Sequence, residues 1–227
     1  MSLKGRLNNF MDKNKKENYC TLYLVRHGET EWNVKKINQG QSESFLTEVG
    51  IKQAKETAEK LKNVKFDAIF SSDLSRAYKT AEIVRLDRNI VIQTSKLLRE
   101  RAHGSFEGKH DDVFKETLKE KLKERENLTG QEYYSFRLTP EVETDEELIN
   151  RFLKQLKEIA VMYPNKNVLV VTHAGCIKHF LIKIGYVERT ALPSGSFKNG
   201  GYIKTLSDGV NFFVKEVEGI QKSKGGE

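Results

Sequence analysis

Apolar residues recur along this chain with two alternating periods. Residues 21–25 (Thr-Leu-Tyr-Leu-Val) are a short apolar run ending in a charged, glycine-containing segment, the pattern of a buried strand that delivers a loop at its C-terminal end. Over 47–61 the spacing changes: Ile51, Ala54, Ala58 and Leu61 recur at helical intervals behind Thr47, a residue able to cap a helix N-terminus. A strand is predicted at 68–71, followed by a helix capped by Asp73. That helix carries Leu74, Ala77, Ala81 and Val84 on one face and ends near Arg85. Residues 90–92 continue the alternation with a third strand. Residues 111–125 form a highly charged helical segment without a wide apolar face, suited to a lid. Leu148, Phe152, Leu156 and Ile159 define a long helix over 144–163. A buried strand at 168–171 and part of a further helix at 177–184 come next. Two β-prone runs, 200–206 and 210–217, flank Ser207, Asp208 and Gly209 and predict a terminal hairpin. Strands alternating with helices imply an α/β fold: a three-layer α/β/α sandwich with a largely parallel central sheet and a small helical insertion. Sites in such sheets gather at the carboxyl ends of strands.

Composition sets the scale. A chain of 227 residues with 37% apolar content can bury one substantial core. The expected division is a single domain over 19–220, with an insertion at 109–140, between flexible tails at 1–18 and 221–227. The formal charge is +7, but Lys and Arg are scattered among Asp and Glu. That distribution suits modest steering of anions and gives no nucleic-acid groove. No apolar run reaches the length of a membrane span and no secretory signal opens the chain, so a soluble cytoplasmic protein without a membrane partner is expected. Cys20 and Cys176 are too few for a disulfide framework and are expected to be reduced, inert thiols.

Two of the predicted strands end in a histidine followed by a small residue: Leu24-Val25-Arg26-His27-Gly28-Glu29-Thr30 and Val170-Val171-Thr172-His173-Ala174-Gly175. A lone histidine is more often structural. Two in matching contexts, on strands that can be parallel neighbours, point to imidazoles meeting at one edge of the sheet. The segment Arg26-His27-Gly28-Glu29-Thr30, with Trp32-Asn33 after it, resembles the signature of the histidine phosphatase (phosphoglycerate mutase-like) superfamily. Ser71-Ser72-Asp73-Leu74-Ser75-Arg76-Ala77 with Thr80-Ala81-Glu82 is similar to that family's second motif. Leu98-Arg99-Glu100 with Gly104, Glu107 and Gly108 resembles the third, and His173-Ala174-Gly175 the fourth. The matches fall in the family's order across most of the chain.

The resemblance implies attack by a neutral His27 on phosphorus, dividing hydrolysis into formation and breakdown of a phosphohistidine. It places Arg26, Arg76, Asn33, His173 and Ala174 around the phosphoryl group, whose charge must be offset by fixed donors. Taken singly, either arginine reads as a surface ion pair and Asn33 as a turn residue. Glu100 matches the acid that protonates the leaving oxygen and then activates water, a dual use that asks for a proton held and released near working pH. Glu107 is read as structural and Glu29 as a brace for its loop. Glu143-Thr144 resembles a later family element that glycine usually precedes; Val142 stands there instead, which puts any substrate contact by that loop in question.

Rival chemistries fare worse on the same residues. Cys20 and Arg26 have the spacing of a cysteine phosphatase, but a strand pattern without phosphate-wrapping glycines separates them. His173 and His179 lack companions for a metal set, and no glycine-rich nucleotide loop is present, so neither a metal nor a cofactor is expected. Within the family, the short span from Gly104 to His173 favours a phosphatase acting on a small phosphorylated anion, a sugar phosphate or bisphosphate among the candidates. A phosphoglycerate mutase, and a catalytically idle relative that binds a phosphorylated ligand, are the alternatives.

Overall fold

A computed structural model of the chain describes residues 18–193 and 195–220. The expected tails therefore lie, apart from Asn18, outside the described residues. In chain order the elements are β1 (Cys20–Arg26), α1 (Glu31–Val34), α2 (Glu48–Lys60), β2 (Ala68–Ser71), α3 (Ser75–Arg85), β3 (Ile92–Thr94), α4 (Asp111–Thr117), α5 (Lys119–Glu126), α6 (Gly130–Ser135), α7 (Asp145–Met162), β4 (Asn167–Thr172), α8 (Ala174–Lys183), β5 (Phe197–Ser207) and β6 (Phe212–Ile220). The six strands form one sheet in the order β3-β2-β4-β1-β5-β6. The first four are parallel, and β5 and β6 join antiparallel.

The near-continuous apolar strands follow from burial on both faces. Leu22 and Leu24 of β1, with Val168 and Val170 of β4, pack beneath Leu148, Phe152 and Leu156 of α7 and Ile177 and Phe180 of α8. The alternate positions Tyr23, Val25, Leu169 and Val171 face Ala77, Ala81 and Val84 of α3. At roughly 1.5–3 kcal/mol for each fully buried large aliphatic or aromatic side chain, these two layers supply the main driving force. A third, smaller cluster of Phe106, Leu118, Leu138 and Val142 gives the insertion a core of its own.

Thr47 caps α2 by accepting the Gly50 N–H at 3.0 Å, as its position suggests. Thr144 caps α7 in a reciprocal box with Glu147. Three local expectations need correction. Asp73 does not cap α3: Leu74 holds that position without a side-chain bond, and the Asp73 carboxylate takes two N–H groups of Arg99 at 2.7 and 2.6 Å. A bidentate, charge-assisted pair outcompetes one backbone donor. The third strand is Ile92–Thr94, shifted from 90–92, because Ile92 is the residue that pairs with Ile69, and the exposed Gln93 and Thr94 carry no apolar signal. The charged helix expected at 111–125 is two helices, broken where Leu118 turns its side chain into the insertion's core. The helical stretch expected at 177–184 is part of α8, which starts at Ala174 and has Ile184 as its C-terminal cap.

Candidate active site

The parallel register of β1 on β4 pairs Arg26 with Thr172, so each strand's next residue, His27 or His173, emerges at the same edge. The His27 N–H bonds the Thr172 carbonyl at 3.0 Å, which extends the ladder to the site itself. The two imidazole rings stand 5.1 Å apart, centre to centre, and both are buried. This is the juxtaposition expected from the matching strand ends.

The His27 ring is held in one tautomer. Its Nδ1 lies 2.7 Å from the Gly28 carbonyl oxygen, and a carbonyl only accepts, so Nδ1 carries the proton and Nε2 keeps its lone pair. Burial, reinforced by the charges of Arg76 and Arg26, pushes the His27 imidazole well below its ordinary value, and the ring is neutral near pH 7. Burial and Arg76 do the same to His173, neither of whose ring nitrogens has a hydrogen-bonding partner among the described residues. The loop that carries His27 is fixed from several sides. Thr80 accepts the Gly28 N–H at 3.1 Å, and Asn199 donates to the His27 carbonyl at 3.1 Å. Gly28 lies so close to α2 that a Cβ there would meet the Gly50 carbonyl oxygen at 2.3 Å, which leaves room only for glycine.

The two motif arginines flank the imidazoles. Arg26, at the end of β1, donates through Nη1 to the Phe197 carbonyl. Arg76, on the first turn of α3, donates from Nη1 to the Ser42 carbonyl and from Nη2 to the Gly40 carbonyl, both at 2.7 Å. In each guanidinium Nε is buried without a partner among the described residues. A guanidinium has five N–H donors, so these carbonyls leave several for a ligand. Asn33 sits in a capping box with Thr30: its Oδ1 accepts the Thr30 N–H at 3.1 Å, while its Nδ2 has no partner among the described residues. Turn residue and candidate donor are thus the same side chain. Ala174 opens α8, where a helix leaves its N–H groups without intrahelical partners.

Glu100 meets the start of α8. Its Oε2 accepts the Gly175 N–H at 2.9 Å and its Oε1 the Arg101 N–H at 2.8 Å, which aims the carboxylate at the start of α8. Glu107 turns elsewhere, taking the Gln41 N–H at 3.0 Å, the Ser42 hydroxyl at 2.7 Å and the His103 N–H at 2.9 Å, so it braces the 39–42 loop as expected. Glu29 accepts the Thr47 hydroxyl at 2.8 Å, also as a brace. Glu143 forms a bidentate pair with Arg151 at 2.6 and 2.8 Å and receives the Ala102 N–H, an arrangement that commits its carboxylate to the protein.

Sequence reasoning missed Arg151. From the middle of α7 it donates to the carbonyls of Leu97 at 2.9 Å, Arg99 at 2.6 Å and Glu100 at 2.9 Å, clamping the segment that presents Glu100. It also missed Asp145, a buried carboxylate paired with both Arg101 and Arg125 and 3.6 Å from His179. Neither has a signal beyond being charged on a helix.

A cavity of about 350 Å³ lies beside these residues, lined by Asn33, Glu100, Arg101 and Lys178 and by Ala174 and Gly175, which directly follow His173. Cys20 and Arg26 lie at opposite ends of β1, roughly 20 Å apart at about 3.3 Å per residue, too far to share a phosphate. Burial raises both thiols to about 12.

Known proteins share this fold. The model of the histidine phosphatase superfamily (branch 1) matches residues 22–217. The chain belongs to that superfamily. Among its relatives, a Bacillus subtilis protein described as an uncharacterized phosphatase, PhoE, is 36% identical over 161 residues, 71% of this chain and 75% of that one. A probable phosphoglycerate mutase, GpmB, of Proteus mirabilis is 34% identical over 172 residues, 74% and 78% of the two chains. Among solved structures, YhfR of Bacillus stearothermophilus superposes with a TM-score of 0.76 at 31% identity, over 89% of this chain and 98% of that one. Among the described residues, no helix is long and apolar enough to cross a membrane.

Proposed function

We propose that this protein is a phosphatase that hydrolyses a small phosphomonoester through a phosphohistidine on His27. The observation that carries the reading is the pair of buried imidazoles 5.1 Å apart, one with its Nδ1 proton tied to a carbonyl so that Nε2 is the free nucleophile. Nε2 attacks phosphorus as the ester P–O bond breaks, and the departing oxygen takes a proton from Glu100 in its acid form. The resulting carboxylate accepts a proton from water, the water oxygen displaces His27, and inorganic phosphate leaves. Arg26, Arg76, Asn33, His173 and the opening N–H of α8 offset the charge on the phosphoryl oxygens throughout. An incoming phosphoryl dianion also counters the charges of Arg76 and Arg26, which reinforce the burial that keeps both imidazoles neutral.

The test is phosphate release from 4-nitrophenyl phosphate together with trapping of an acid-labile, base-stable phosphoryl adduct on the protein. His27→Ala is expected to abolish both. Turnover that survives this substitution would overturn the reading. The similarity to a probable mutase supports a second reading, isomerisation of a phosphorylated acid. With 3-phosphoglycerate, rapid formation of the 2-isomer would favour it, and release of phosphate the first.

A further inference from the structure

The cavity runs along one face of α8. Ala174, Gly175, Lys178 and Leu181 all line it, at helical spacing from the imidazole end outward. Lys178 is half-buried, yet its ammonium has no hydrogen bond or ion pair among the described residues. The nearby anion is already committed: Asp145 is shared by Arg101 and Arg125, with His179 close by. Arg189 stacks over the Tyr133 ring at 4.0 Å, and Arg125 covers the same ring at 4.2 Å. Of these cations Arg101 and Lys178 line the cavity, and the charges of Arg125 and Arg189 also act on Lys178. Burial and these three guanidiniums pull the Lys178 ammonium below its usual value, Asp145 opposing them. The other cavity carboxylate outside the Glu100 wall, Asp111, is set by burial and by Lys115, His110 and Lys36, away from this cluster.

A half-buried charge among like charges is costly unless something neutralises it. Arg26 and Arg76 flank the imidazoles and serve one phosphoryl group, whereas Lys178 on the cavity wall has no anion of its own among the described residues. We propose that Lys178, with Arg101 beside it, binds a second anionic group of the substrate, a phosphate or a carboxylate. Lys178 lies five positions beyond His173, about 7.5 Å along the axis at the helical rise of roughly 1.5 Å per residue. The ligand class is accordingly a phosphomonoester bearing a second anion a short carbon chain away. This rests on the reading that the imidazole end receives a phosphoryl group.

The experiment is calorimetric titration of the intact protein with alkane bisphosphonates of increasing length, phosphonocarboxylates of matching length, and the corresponding alkyl monophosphonates. At one optimum length a double anion is expected to bind at least tenfold more tightly than its single-anion partner. Whichever second anion gives the larger gain identifies the group. Lys178→Met and Lys178→Gln should both erase the gain, and Lys178→Arg should retain most of it. A gain that persists in the Met and Gln variants, or no gain at any length in the native protein, overturns the proposal. Because the probes are not hydrolysed, the outcome is separate from the phosphatase reading: loss of 4-nitrophenyl phosphate turnover as an activity would leave a length-dependent, Lys178-dependent gain intact.

Discussion

Gly175→Ala separates the stability of this protein from its chemistry. A Cβ at Gly175 would fall 2.2 Å from Oε1 of Glu100, 3.0 Å from its Cδ and 3.2 Å from its Oε2, so the carboxylate must retreat by about 1 Å to restore ordinary contact. That retreat breaks the 2.9 Å bond from the Gly175 N–H to Oε2. The helix itself gains, since alanine is favoured over glycine in a helix by up to about 0.5–1 kcal/mol. A misplacement of about 1 Å in a reacting group costs on the order of a hundredfold in rate, or about 2.7 kcal/mol of barrier. The loss should depend on the leaving group. Alkyl phosphates, which need a proton on the departing oxygen, should lose about a hundredfold in kcat, whereas 4-nitrophenyl phosphate, whose leaving group departs as an anion, should lose much less. Steady-state kinetics on both substrates, with a melting curve, is the assay. Equal losses on the two substrates, or native turnover of the alkyl ester in a protein of normal stability, would refute the assignment of Glu100 as the acid.

Three further outcomes follow from the same geometry. Asp145→Asn leaves Arg101 and Arg125 without their shared countercharge and should lower unfolding free energy by about 3–5 kcal/mol in urea titrations, the range for breaking a buried pair. Burial lowers His103 to about 4 and His179 to about 3, so below the unfolded value of about 6.5 the unfolded chain binds protons that the folded one refuses. Stability should therefore fall as pH drops from about 6.5 toward 4, by about 2 kcal/mol at pH 5 for each ring, and His103→Asn should flatten part of that slope in denaturant curves taken at pH 7 and 5. With both thiols raised to about 12, Cys20 and Cys176 should resist a maleimide in the native protein and react on unfolding; labelling of the native fold at the rate of an exposed thiol would contradict their burial.

Local pattern was enough for the framework. The apolar runs behind β1, β2 and β4 and the helical periods of α2 and α7 are legible because burial on one or both faces imposes a short-range rhythm on the sequence. The four motifs were legible too, and the positions of Arg26, His27, Arg76, Glu100 and His173 around one sheet edge follow from strands that end where those motifs begin. What only the tertiary structure decided are the long-range charge pairs. Asp73 reads locally as a cap and instead holds Arg99; Arg151 reads as a polar position on an amphipathic helix and instead clamps the Glu100 segment from more than fifty residues away. Lys178 carries no local signal and lines the cavity. Such pairings leave no period in the chain, because a charge finds its partner through the folded path of the backbone, and which partner wins depends on desolvation that exists only once the layers have closed.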